Sequence, residues 1–140
     1  MTKHTITLAV ALFLSLSVLG GIAFAGKGAP HKSSGGSGTV AVVLLNSTDG
    51  LPHAGQQVTF TASTPVTDRP YVRLDCYQNG VWVFDQWAGF YADFSWPWMQ
   101  TFTLANSMWT SGAADCTATL YYYGNRGWTD ITASPFHVYQ

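Results

Sequence analysis

The sequence predicts a small all-β sandwich of seven antiparallel strands held by one disulfide, and three observations carry that expectation. Beyond residue 38, apolar residues recur at every second position in short runs parted by Gly, Pro, Asn, Asp and Ser, and no helical period is sustained. The two cysteines fall on inward positions of separate runs: Val72, Leu74 and Cys76 in one, and Cys116, Ala118, Leu120 and Tyr122 in the other. The N-terminus reads as an export signal, and in an oxidising compartment two inward cysteines pair as one buried bridge.

Residues 1–25 carry that signal. Lys3 and His4 give a weakly basic start, residues 6–24 are apolar except for Thr7, Ser15 and Ser17, and Ala23-Phe24-Ala25 supplies small residues before a cleavage point placed ahead of Gly26. The apolar run is long for a cleaved signal, so an uncleaved membrane anchor is the competing reading. The expected location is secreted or extracellular, with no membrane contact after cleavage. Residues 26–38 (GKGAPHKSSGGSG) form a flexible Gly/Ser-rich spacer. Residues 39–140 are then one domain of about 100 residues. It holds all six tryptophans and no lysine, and its seven acids, all Asp, face only Arg69, Arg73 and Arg126. That balance argues against nucleic acid and against anionic membrane surfaces as partners.

Seven strands are expected, in order, at 39–45, 57–62, 71–78, 81–87, 100–104, 116–123 and 129–139, the last interrupted near Pro135. Asn79-Gly80 is the strongest local signal, because both residues tolerate the positive φ angles of a two-residue hairpin turn. Such a turn pairs Tyr77 with Trp82, Cys76 with Val83 and Asp75 with Phe84. Pairing Cys76 with Cys116 across neighbouring antiparallel strands then sets Tyr71 opposite Tyr121. The outer face so built carries Tyr71, Tyr77, Trp82, Phe84, Tyr121 and Tyr123, with Arg73, Asp75, Thr117 and Thr119 among them. This register turns Asp85 inward beside Leu74, which a bulge near Asp85 would relieve. The bridge would close a loop of about 40 residues and contribute about 4 kcal/mol.

Seven strands, the turn spacing and the stretch Gly55-Gln-Gln-Val-Thr-Phe-Thr-Ala62 resemble the immunoglobulin-like and fibronectin-type-III-like modules of secreted bacterial proteins. The resemblance implies a seven-stranded antiparallel immunoglobulin-like β-sandwich over residues 39–140. Trp87 follows Cys76 at the spacing of the antibody core tryptophan. The hairpin at Asn79-Gly80 opposes that role, since the corresponding antibody strands lie in opposite sheets, and Ala114 stands where a corner tyrosine would precede Cys116.

Catalytic chemistry finds no support in the motifs. The histidines are His4, His31, His53 and His137, none in a nucleophile elbow or a metal-binding repeat, and Glu is absent. The protein is therefore expected not to be an enzyme and to need no cofactor. Asp68, Asp93 and Asp130 lie near loops but without Asp-x-Asp spacing, and single loop aspartates more often cap turns, so no metal site is assigned.

Aromatic residues carry the functional signal. Residues 88–99 hold Phe90, Tyr91, Phe94, Trp96 and Trp98, whose flat faces suit both sugars and protein interfaces. The candidate ligand-binding residues are Tyr71, Tyr77, Trp82, Phe84, Trp96, Trp98 and Tyr121. Against this stands ordinary packing: the loop would cover Trp82 and Phe84, and Trp109, Trp128 and Tyr122 would simply fill space. The expected function is non-enzymatic binding of a protein at a surface or in a matrix. Polysaccharide binding is the alternative, and protease inhibition through the Pro-bearing loop a third reading.

Overall fold

A computed structural model describes residues 37–93 and 100–140. The fold is all-β, with seven strands in two antiparallel sheets arranged like a sandwich. The strands are β1 (Thr39–Leu44), β2 (Gln57–Ser63), β3 (Tyr71–Gln78), β4 (Val81–Gly89), β5 (Phe102–Thr103), β6 (Ala114–Gly124) and β7 (Gly127–Val138). One sheet runs β1-β2-β5 and the other β4-β3-β6-β7. Among the described residues, no helix is long and apolar enough to cross a membrane.

Alternation builds the core. Val58 and Phe60 of β2, with Phe102 and Leu104, face Val72, Leu74, Cys76, Ala118, Leu120 and Ile131 of the larger sheet. Phe60 meets Phe102 edge to face at 5.2 Å. Trp109, in the β5–β6 connection, is fully buried and packs edge to face on Phe84 at 5.8 Å. Its amide is capped by Asn106 Oδ1 at 2.7 Å, and its indole N–H donates to the Gly112 carbonyl at 3.0 Å. A buried ring with its N–H satisfied adds apolar area without an orphan donor. Trp109 thus takes the core position, and Trp87, at the antibody spacing, lies exposed on the outer face.

The disulfide and the central register follow the pattern of the sequence. Cys76 and Cys116 are bonded, directly opposite one another on the neighbouring strands β3 and β6, with Cα atoms 4.1 Å apart. Tyr71 stands opposite Tyr121. Asn79 (φ 49°) and Gly80 (φ 80°) form the turn, which sets Tyr77 against Trp82.

Beyond Trp82 the expected register is corrected. A bulge places Phe84, not Val83, opposite Cys76, so Asp85 pairs with Asp75 on the outer face and Phe84 turns into the core, 3% exposed. The reason is the cost that the unbulged register would carry: a carboxylate buried beside Leu74. One extra residue exchanges the faces of everything after it. The last strand is corrected as well. Pro135 stays within β7, opposite Thr117, because β7 is an edge strand and its missing N–H faces no neighbour. The irregularity falls instead at Ile131, skipped between Thr132 and Asp130 and turned into the core.

Candidate functional site

The outer face of the four-stranded sheet is a grid whose rows follow from the pairing. Across β4, β3, β6 and β7 they read Gly89–Tyr71–Tyr121–Asp130, then Trp87–Arg73–Thr119–Ala133, then Asp85–Asp75–Thr117–Pro135, then Trp82–Tyr77–Asp115–His137. Tyr123 and Trp128 extend the grid past the first row on β6 and β7. Rings therefore gather at one end, charges in the middle, and a smaller aromatic group at the other end.

At the aromatic end Tyr71 is the hub. Its ring lies 5.3 Å from Tyr91, 5.3 Å from Trp128, 5.6 Å from Tyr121 and 5.9 Å from Trp87. Trp128 also meets Tyr121 at 5.2 Å and Tyr123 at 5.0 Å. These contacts are mostly edge to face, the arrangement aromatic quadrupoles favour. Two arginines lie over ring faces, Arg69 over Tyr91 at 5.1 Å and Arg73 over Tyr121 at 5.6 Å. Tyr91 reaches the cluster because Gly89 has no side chain: a Cβ there would meet the Tyr91 ring at 2.8 Å. Burial, with a hydrogen bond that the Tyr91 hydroxyl donates to the Tyr71 side chain, pushes the Tyr91 phenol up to about 12.

The packing leaves some rings covered and others open. Tyr121 is 7% exposed beneath its neighbours, whereas Trp87 and Trp128 are each 59% exposed and Tyr123 66%. Below them runs a polar strip. Arg73 Nε bonds Asp75 Oδ2 at 2.8 Å, and the Trp82 indole reaches Asp75 Oδ1 at 3.4 Å. Burial and the neighbouring Asp75 raise the Asp85 carboxyl above its ordinary range, opposed by Arg73.

Of the sequence-derived candidates, Tyr71, Tyr77, Trp82 and Tyr121 lie on this face. Phe84 does not; the bulge puts it in the core against Trp109. Trp96 and Trp98 lie outside the described residues. The sequence reading left out of its candidates Trp87, at which it ended the fourth strand, and Trp128, for which it raised ordinary packing as the competing reading. Placing both on the outer face takes more than alternation: Trp87 shares parity with Asp85 only once the bulge is placed, and Trp128 pairs with Tyr123 across the β6–β7 turn.

A second group of polar side chains sits where the chain end meets the β1–β2 connection. His53 bonds Asp49 Oδ2 through Nε2 at 2.8 Å and the Gln140 carbonyl through Nδ1 at 2.9 Å. Ser47 donates to the other Asp49 oxygen at 3.0 Å. The serine thus points at the carboxylate rather than at the imidazole, which is not the order that activates a nucleophile. Tyr139 exchanges backbone bonds with Pro52 and Ala54, so this group ties the C-terminal segment to the other sheet's connection. A recess of about 550 Å³ at the β6–β7 turn is lined by Tyr122, Gly124, Asn125, Arg126 and Thr129, without a carboxylate or imidazole. Among the described residues, no three His, Cys or Asp side chains gather to hold a metal.

Comparison of the chain with protein-family models, with curated proteins and with solved structures yields no match.

Proposed function

We propose that this protein is an exported, non-enzymatic binding module of immunoglobulin-like or fibronectin-type-III-like architecture that grips a protein partner at the cell surface or in a matrix. The observation that carries the reading is the open aromatic group Trp87, Trp128 and Tyr123, fixed by Tyr71 and Tyr121 on a disulfide-braced sheet. Large exposed rings held in place lose little conformational freedom on docking, and Trp, Tyr and Arg dominate interface energetics. The order β1-β2-β5 with β4-β3-β6-β7, and a β3–β4 hairpin in one sheet, favour the fibronectin-type-III-like arrangement over the antibody constant type.

The polar strip Arg73–Asp75–Asp85 beside exposed indoles favours polysaccharide as the second reading, because sugar hydroxyls need hydrogen-bond partners alongside a stacking face. The two are separated by retention on purified insoluble polysaccharides and on cell-envelope fractions, before and after protease treatment. Protease-sensitive retention on envelopes, with none on polysaccharide, is expected. Retention on a purified polysaccharide would overturn the protein-partner reading in favour of the second.

A further inference from the structure

The ladder geometry determines which backbone groups of β4 are committed. Phe90 N–H donates to the Pro70 carbonyl at 2.8 Å, so the hydrogen-bonded pairs continue through Ala88–Val72, Gln86–Leu74 and Phe84–Cys76. The 4.1 Å Cα separation of Cys76 and Cys116 agrees, since it is the short spacing of a non-bonded pair and leaves the Cys76 backbone directed at β4. The alternate residues Asp85, Trp87 and Gly89 therefore turn their amides and carbonyls to the open edge of the sheet. Two side-chain amides stop that edge at its ends: Asn106 Nδ2 donates to the Val83 carbonyl at 2.9 Å and Gln100 Nε2 to the Gly89 carbonyl at 3.3 Å. Between them, the N–H and C=O of Asp85 and of Trp87 have no partner among the described residues, and Asp85, Gln86 and Trp87 are exposed.

From this window we infer that β4 pairs antiparallel with β4 of a second copy, with Gln86 on the two-fold axis. Natural edges are blunted by Lys, Pro or short length. Here β7 carries Pro135, β5 has two residues and β1 six, whereas β4 has nine, with neither Pro nor Lys. A two-fold pairing is self-complementary only in certain registers. With Asp85 opposite itself, the row would read Asp75–Asp85–Asp85–Asp75, four carboxylates abreast, which like-charge repulsion opposes. With Trp87 opposite itself, the next bonded pair needs the Gly89 carbonyl that Gln100 already holds. With Gln86 opposite itself, each Asp85 bonds the partner's Trp87 through backbone groups that are all free. The row then reads Asp75–Asp85–Trp87–Arg73, so each Asp85 faces an indole instead of a second carboxylate, and an arginine stands beyond it. The joined sheets bring the outer faces of both copies side by side. This goes beyond the outer-face reading and does not depend on it.

Cysteine cross-linking tests the register. In the oxidised protein as isolated from its producing cells, Gln86→Cys should link to a disulfide dimer under mild oxidation, because that pair faces itself. Asp85→Cys and Trp87→Cys should remain largely monomeric. In the unaltered protein, the weight-average mass in sedimentation should rise toward that of a dimer with concentration, and hydrogen exchange at the Asp85 and Trp87 amides should slow in step. A constant monomer mass, or a dimer in which those two amides exchange unchanged, would overturn the pairing whatever the variants do. Equal cross-linking by all three folded variants would overturn the register.

Discussion

Tyr71 and Trp87 are neighbours on one face, yet the first is packed among other rings and the second is open, as the proposed contact surface requires. Tyr71 is partly buried and ringed by four aromatic side chains, whereas Trp87 keeps more than half of its surface open. The Tyr71–Tyr121 pair was legible because it needs only the disulfide register. The exposure of Trp87 and Trp128 was not, because it depends on what covers them, and that is a property of packing. His53 carries a separate prediction at this scale. Its hydrogen bond to Asp49, and then that to Gln140, raise the imidazole pKa, while the same pairing lowers Asp49 to about 2. A raised imidazole contributes fully below its unfolded value of about 6.5 and loses that contribution as pH rises through the folded one. A lowered carboxyl contributes above its unfolded value of about 3.9 and loses it as pH falls toward about 2. The clamp on the chain end should hold between those limits. Titration by NMR should place the His53 midpoint above 6.5 and show Tyr139 and Gln140 shifting with it; a midpoint at or below 6.5 would contradict the clamp.

At the scale of strands, the β4 bulge decides which aromatic residues stabilise the fold and which are free for binding. Alternation alone set Phe84 outward and Asp85 inward, and the conflict at Asp85 was visible in the sequence. Its resolution two residues closer to the hairpin, at Val83, was not, because a bulge is placed by the cost of burial across the whole sheet rather than by local propensity. The Asn79-Gly80 turn and the β3–β6 register were legible since each rests on a local signal: positive φ tolerance in one case, paired cysteines in the other. Phe84 and Trp82 stand two residues apart and should respond oppositely to truncation. Phe84→Ala should cost about 3–5 kcal/mol by emptying the space against Trp109. Trp82→Ala, half-exposed, should stay within about 0.5 kcal/mol, apart from its long bond to Asp75. Denaturant melts of both variants check this, and equal losses would place Phe84 on the surface.

For the molecule as a whole, the disulfide and the core present one sheet face as a rigid surface. Cys76–Cys116 spans 40 residues of chain, and chain-entropy arithmetic assigns it about 4 kcal/mol. Replacing both cysteines with Ala should lower the unfolding free energy by roughly that amount, a large share of a small domain's stability. A loss near zero would show that the bridge is dispensable for holding β3 to β6. The all-β class, the strand count and the bridge were legible in alternation and turn residues, which are local. The sheet order was less so, because β5 shrinks to two residues and the β5–β6 connection contributes Trp109 to the core. The central claim is that the outer face binds through its open rings. It is tested most directly by envelope retention of the oxidised protein beside a Trp87→Ala/Trp128→Ala variant with an unchanged melting temperature. Loss of retention of tenfold or more in the variant is the predicted result, corresponding to about 1.4 kcal/mol or more of binding energy. Equal retention of the two proteins would contradict it and return those rings to the solvent surface.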